Sequence, residues 1–196
     1  MIGFNCDVES QVEMLHEILQ KNDVIYQVIL RANKLGIDKY YIGAGCICQS
    51  VWNYQNNLNL MYGISDIDFV YFNDNDLSYE AENAIILKVK NEFSDLSVDI
   101  DIKNQARVHL WYKEHYGYDI SPYNSVEDAI STWPTTATSI GVRLEDSKLI
   151  VYAPFGMNDM FGQIIRANKT QITKETYMQK CNKWTSKWNS LRIVEW

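Results

Sequence analysis

Apolar residues recur at helical spacing near the start of the chain, at Val12, Leu15, Ile18 and Leu19. This predicts an amphipathic helix over 8–19, capped by Asp7 or Ser10. A second stripe follows Asn22-Asp23 at Ile25, Val28, Ile29, Ala32 and Leu35, and Gly36 is placed to end it. The period then shortens. Lys39-Tyr40-Tyr41-Ile42 reads as a short strand, and Gly43-Ala44-Gly45 as a turn into a helix over 46–52. Ile67 to Phe72 is an apolar, β-prone run, closed by the turn cluster Asn73-Asp74-Asn75-Asp76. Ser78 is placed to cap a helix with Glu80 and Glu82 in its first turn and Ala81, Ile85, Val89 and Phe93 inside. Val98 to Ile102 alternates strictly, so Val98, Ile100 and Ile102 share one face and Asp99 and Asp101 the other.

The later pattern is weaker. Residues 104–112 read as helical or irregular. A short helix starts at Ser125 and stops before Pro134. Ser139–Leu144 and Leu149–Ala153 read as a hairpin joined at Glu145-Asp146-Ser147. Asn158-Asp159 is expected to cap a helix through Ile165. A terminal helix is expected over 173–188, with Trp184 and Trp188 covering a core edge. The order of elements is that of an α/β (α+β) fold. Three strands form the middle of one mixed sheet, with flanking helices and a helical C-terminal extension. A length of 196 residues, with no repeat and no long linker, predicts a single domain over 1–196.

Composition changes this picture in two ways. Aromatics reach 13%, with 13 Tyr and 6 Trp, a high share; aromatics can fill a core, but they also line pockets that stack bases. The net charge of -7 argues against a long nucleic-acid partner but leaves room for a metal–nucleotide complex. Cys6, Cys46, Cys48 and Cys181 have no zinc-ligand spacing and read as free thiols. The first residues show no secretory pattern and no run reaches membrane-spanning length. The expectation is a cytoplasmic protein with no membrane partner; oligomeric state is left open.

The chemistry gathers on Ser65-Asp66-Ile67-Asp68-Phe69-Val70-Tyr71-Phe72. In a strand, Asp66 and Asp68 point the same way, with Ile67, Phe69 and Tyr71 opposite. Two like charges at the start of a buried strand are costly unless neutralised, and a divalent cation with oxygen ligands does that. Taken plainly, they are solvated acids at a strand end. Two further features favour the metal. Gly43 and Gly45 sit at a strand end opening a helix, where backbone N–H groups can meet phosphate. Asp99 or Asp101 on a later strand supplies a third carboxylate. Three such carboxylates can hold two Mg²⁺ (or Mn²⁺) ions for phosphoryl or nucleotidyl transfer, and the third can act as general base.

Ile42-Gly43-Ala44-Gly45, Asp66-Ile67-Asp68 and Asp101 resemble the motifs of the nucleotidyltransferase superfamily, the fold of DNA polymerase beta and of aminoglycoside and RNA nucleotidyltransferases. More narrowly, the chain is similar to a bacterial nucleotidyltransferase-like family of unassigned substrate. That likeness is carried by Gln49-Ser50-Val51-Trp52-Asn53, the Asp66–Phe72 run, Asp76–Glu82, Lys103–Tyr112 and Ala153-Pro154-Phe155-Gly156. The resemblance implies a nucleotidyltransferase-type sheet with Mg²⁺ on Asp66, Asp68 and Asp101. It selects Asp101, two residues before Lys103, over Asp99. It also implies an NTP donor, whose nucleoside monophosphate passes to an unknown acceptor hydroxyl or phosphate. One departure stands out: twenty residues separate Gly45 from Asp66, more than the motif usually carries.

Lys103 and Arg107 either grip triphosphate oxygens or pair with nearby acids. His109 reads as structural, and His16 and His115 as structural or exposed. The hydroxyl-rich stretch 132–139 reads as a capped loop before a strand. Two other functions fit the same carboxylates. One is a catalytically silent module binding a nucleotide or partner; the other is a metal-dependent phosphohydrolase with water as acceptor.

Overall fold

The computed structural model describes residues 2–196. Helix α1 (Val8–Lys21) takes its cap from Asp7, whose carboxylate accepts from the Ser10 amide at 2.9 Å and the Ser10 hydroxyl at 2.7 Å. Helix α2 (Asp23–Ala32) follows after Asn22. A 3-10 turn over Asn33–Leu35 extends its apolar stripe to buried Leu35, and Gly36 closes it in the left-handed region. Leu15, Ile18 and Leu19 of α1 and Ile25, Val28 and Ile29 of α2 are buried in one core with the sheet.

The sheet has five strands. Strand β1 (Tyr40–Gly43) leads into α3 (Gly45–Gln55), and β2 (Asp66–Tyr71) into α4 (Tyr79–Glu92), capped by Ser78 as predicted. Strand β3 (Asp99–Asn104) runs on through a 3-10 turn into α5 (Val108–Tyr116), which resolves the ambiguous 104–112 stretch. After α6 (Val126–Ile130), β4 (Gly141–Glu145) and β5 (Lys148–Tyr152) form the predicted hairpin. Its two turn residues, Asp146 and Ser147, both have positive φ, the geometry that matches strand twist. The order across the sheet is β3-β2-β1-β4-β5, parallel only between β2 and β3.

The period-2 pattern sorts the two faces of β2 and β3. Ile67, Phe69 and Tyr71 join Ile42, Ile100 and Ile102 in the main core, with Tyr40 stacked on Phe69 at 5.3 Å. The other face holds Asp66, Asp68 and Val70, and Val70 continues into a smaller apolar cluster with Tyr41, Ala106, Val126 and Ile130. The acids therefore stand at the margin of a packed face.

The C-terminal third departs from expectation. The helix foreseen through Ile165 is four residues long, α7 (Asn158–Phe161), and Ile164–Ile165 is strand β6. Neither predicted cap residue caps it: Asn158 accepts from the Asn5 amide and Gln11, and Asp159 binds Thr136 and Arg166. Tertiary partners outbid the local cap. Helix α8 (Lys174–Thr185) ends before Trp188, and Arg192–Ile193 form β7, parallel to β6. Trp184 and Trp188 lie within the core rather than along its edge, both edge-on to buried Trp52.

Candidate active site

Parallel pairing of β2 with β3 sets Asp68 directly beside Asp101 and Asp66 beside Asp99. One carboxylate oxygen each from Asp66, Asp68 and Asp101 lies within 4.8 Å of the other two. Asp99 is not in that group. Asp101, the acid that the resemblance selects, is in it. Ser65 donates its hydroxyl to Asp66 at 2.5 Å.

The glycine turn behaves differently from expectation. Neither Gly43 nor Gly45 needs positive φ; Ala44 between them adopts it, at φ 58° and ψ -131°. A Cβ on Gly43 would meet the Ile140 carbonyl at 2.6 Å and the Trp133 ring at 2.9 Å. Gly43 therefore admits the chain leading into β4 and is fixed by packing. Gly45 opens α3, whose N-terminus has no side-chain cap, leaving its first amides for a ligand. The Ala44 amide is tied to the Ile140 carbonyl at 2.9 Å. A non-glycine residue in that region costs about 1–3 kcal/mol. Ala44→Gly is therefore expected to raise the melting temperature by about 2–4 °C, the strain relief exceeding the added chain entropy. A lower melting temperature would show that Ala44 is not strained.

Two adjoining cavities meet at the acids. The first, about 310 Å³, is bounded by Ala44, Gly45, Gln49, Asp66, Lys180 and Lys183. The second, about 270 Å³, runs along the sheet from Asp68 and Val70 past Lys103 to a wall of tyrosine and tryptophan. Asp68, Tyr116, Trp133, Pro134 and Lys180 border both. The long spacing after Gly45 does not separate it from Asp66. Asn53 gathers that loop, binding the Leu60 and Tyr62 carbonyls at 3.0 and 2.8 Å, so both residues reach the first cavity.

A nucleotidyltransferase family model matches residues 30–193. The chain belongs to this nucleotidyltransferase family. The match begins inside α2, so α1 lies ahead of it. A structure solved by NMR, described as a CCA-adding enzyme head domain, superposes with a TM-score of 0.76 over 94% of this chain and 96% of its own. At 22% identity that likeness is one of fold. Among curated proteins no match was found.

In this member of the family the electrostatics centre on Asp68. Burial first, then the Asp66 and Asp101 charges, push its carboxyl up to about 7. Lys180 faces the same acids; burial lowers its pKa, and Asp68 and Asp66 partly restore it. Its ammonium also lies 5.7 Å from the Trp184 ring centre. Lys103 pairs with Asp101 and borders the second cavity. Arg107 is drawn away from the acids. It pairs with Glu82 near the start of α4 and donates from Nε to the Leu77 carbonyl at 2.9 Å. Its partners are structural, and it lies beyond the opposite end of β3 from the acids.

Lys180 and Lys183 were not singled out from the sequence. Their lysines sit in a helix among other charges and look like a solvated face. Only the inward packing of Tyr177, Cys181 and Trp184 turns Lys180 toward the sheet. Gln49 was likewise missed. Its Oε1 is buried without a hydrogen-bond partner at the wall of the first cavity. His109, expected to be a hydrogen-bonded structural residue, is partly buried, and its Nδ1 has no hydrogen-bond partner.

Proposed function

We propose that this protein transfers a nucleoside monophosphate from an NTP to an acceptor hydroxyl. Its membership of a nucleotidyltransferase family supports the reaction class. The observation that carries the reading is the meeting of Asp66 and Asp68, which cluster with Asp101, with Lys180, Lys183 and the N-terminus of α3 in one cleft. The donor set fits a hard cation. It offers carboxylate oxygens, while the nearby Cys46 thiol is turned to the Gly43 carbonyl at 3.1 Å and burial holds it protonated. Such donors suit Mg²⁺ or Mn²⁺ over zinc.

In this reading Asp66, Asp68 and Asp101 would hold the metal. When bound, it offsets phosphate charge and lowers the pKa of the attacking hydroxyl. The first amides of α3 and the ammonium groups of Lys180 and Lys183 receive the β- and γ-phosphates. Asp101 takes the proton from the acceptor oxygen as that oxygen bonds to the α-phosphorus. The bond from the α-phosphorus to the bridging oxygen breaks, and pyrophosphate leaves toward the lysines. Lys103, paired with Asp101, offsets its charge until then.

Thermal-shift measurements with the four NTPs, with and without Mg²⁺, test this on wild type and Asp66→Asn. A Mg²⁺-dependent shift with at least one NTP, lost in Asp66→Asn, is expected, together with pyrophosphate rather than phosphate as product. Phosphate release would favour a hydrolase. Binding without pyrophosphate release would favour a silent module. Lys180→Met should raise the KM for NTP about 10–100-fold, the worth of a hydrogen bond to a charged group, with less change in kcat. Its stem would still cover Trp184, so the melting temperature should hold. An unchanged KM would remove Lys180 from the phosphate site.

A further inference from the structure

The two cavities differ in chemistry, and the geometry of phosphoryl transfer gives that difference a meaning. In an in-line displacement the attacking oxygen and the leaving group lie on opposite sides of phosphorus. The first cavity has what a leaving pyrophosphate needs, an open helix N-terminus and two lysines. The second shares Asp68 and Lys180 with it and continues from Asp68 along Val70 and Lys103, which pairs with Asp101. Resting on the proposed transfer reaction, we infer that this second cavity is the acceptor site, and that the acceptor is a small ring compound carrying a free hydroxyl and no cluster of negative charge.

Three features define that class. At about 270 Å³ the cavity takes a small molecule. Its outer wall is aromatic: Trp111, Tyr112, Tyr118 and Tyr123, with Tyr112 only 4.4 Å from the Tyr116 ring, while Trp133 stands where the two cavities meet. Such faces hold a ring flat. Its polar groups are mostly neutral. Tyr123 hydroxyl meets Thr132 at 2.9 Å and the Gln171 amide at 2.9 Å. Among the described residues lining it, the charged ones are Asp68, Lys103 and Lys180, all bordering the acids. A ring stacked on the outer wall can then direct one hydroxyl toward Asp68 and the Lys103–Asp101 pair. In the transfer that oxygen gains its bond to the α-phosphorus, loses its proton to Asp101, and pyrophosphate departs.

The competing occupant is the nucleobase, which also stacks on aromatics. Phenyl β-D-glucoside, a neutral ring compound with free hydroxyls, separates the two. Its binding is read by saturation-transfer NMR, and binding of the four Mg·NTPs by calorimetry. Both are measured on wild type, on Thr176→Trp, which fills the cavity from α8, and on partly exposed Trp111→Ala, which removes one wall. The probe is expected to bind wild type alongside Mg·NTP. Its signal should fall at least fivefold in both variants, with NTP affinity within twofold of wild type. A tenfold loss of NTP affinity in both variants would give the cavity to the base and overturn the inference. So would competition between probe and NTP, or no probe binding to wild type. Failure of every NTP to bind wild type would instead sink the transfer reaction, while the probe still reports on the cavity.

Discussion

Asp68→Asn should leave the protein without measurable nucleotidyl transfer and, when metal-free, more stable than wild type. Asp68 lies at the centre of the acid cluster, with Asp66 two residues before it on β2 and Asp101 beside it on β3. Its carboxyl is pushed up to about 7 by burial and by those two neighbours. An unfolded aspartate titrates near 3.9. Between about pH 4 and pH 7 the folded, metal-free chain therefore holds a proton that the unfolded chain has lost. Its stability falls as pH rises through that window and levels off above it. Asparagine keeps the shape and removes the charge, so this slope should flatten. The melting temperature at pH 8 should rise by about 2–4 °C, the equivalent of about 1 kcal/mol on a chain of this length. Turnover should fall on the order of 10³-fold or more, because the metal that would offset developing phosphate charge loses one of its carboxylate ligands. The stabilising effect of Mg²⁺ should vanish with it. Melting curves in EDTA and in Mg²⁺, across pH, check both halves. A metal-free Asp68→Asn protein less stable than wild type would mean that the acids are not in conflict. Retained turnover would remove the cluster from the chemistry.

The second large effect is on stability. Trp52 is fully buried, donates its indole N–H to the Met160 carbonyl at 3.1 Å, and meets Trp184 and Trp188 edge-on at 5.8 and 5.5 Å. Trp188 donates in turn to Asn53 at 2.8 Å, the residue that gathers the loop between α3 and β2. Trp52→Ala is expected to cost about 3–5 kcal/mol, against a total of about 5–15 kcal/mol for a domain. Urea denaturation reads this directly. The same cluster holds α8 against the core, and α8 carries Lys180. The variant should therefore also weaken NTP binding, with no change to any residue that lines the acids. A loss under about 1 kcal/mol would mean that the tryptophan cluster is not what anchors α8.

The sequence by itself determined a good part of this molecule. The period-2 alternation of β2 and β3 fixes which face carries Asp66, Asp68, Asp99 and Asp101, because side chains two apart in a strand must point together. Asp7 and Ser78 announce the starts of α1 and α4 through short-range bonds that need no tertiary partner. The resemblance carried by Ile42–Gly45, Asp66-Ile67-Asp68 and Asp101 implied a nucleotidyltransferase, and the chain belongs to a nucleotidyltransferase family, despite the long spacing after Gly45.

Tertiary structure decided the rest. Only the pairing of β2 with β3 brings a carboxylate oxygen of Asp101, and not of Asp99, within 4.8 Å of those of Asp66 and Asp68. Whether Arg107 faced phosphate or Glu82 depended on where α4 starts relative to β3. The positive φ fell on Ala44 and not on its glycines because the approach of Ile140 and Trp133 shapes that turn. Asn158 and Asp159 gave up a local cap for partners far away in sequence. Lys180 lines both cavities beside the acids because Tyr177, Cys181 and Trp184 are buried on its own helix. These outcomes share one cause. A strand period or a helix cap is fixed by neighbours within a few residues, whereas the surroundings of a charge depend on which distant faces pack, and no local pattern records that.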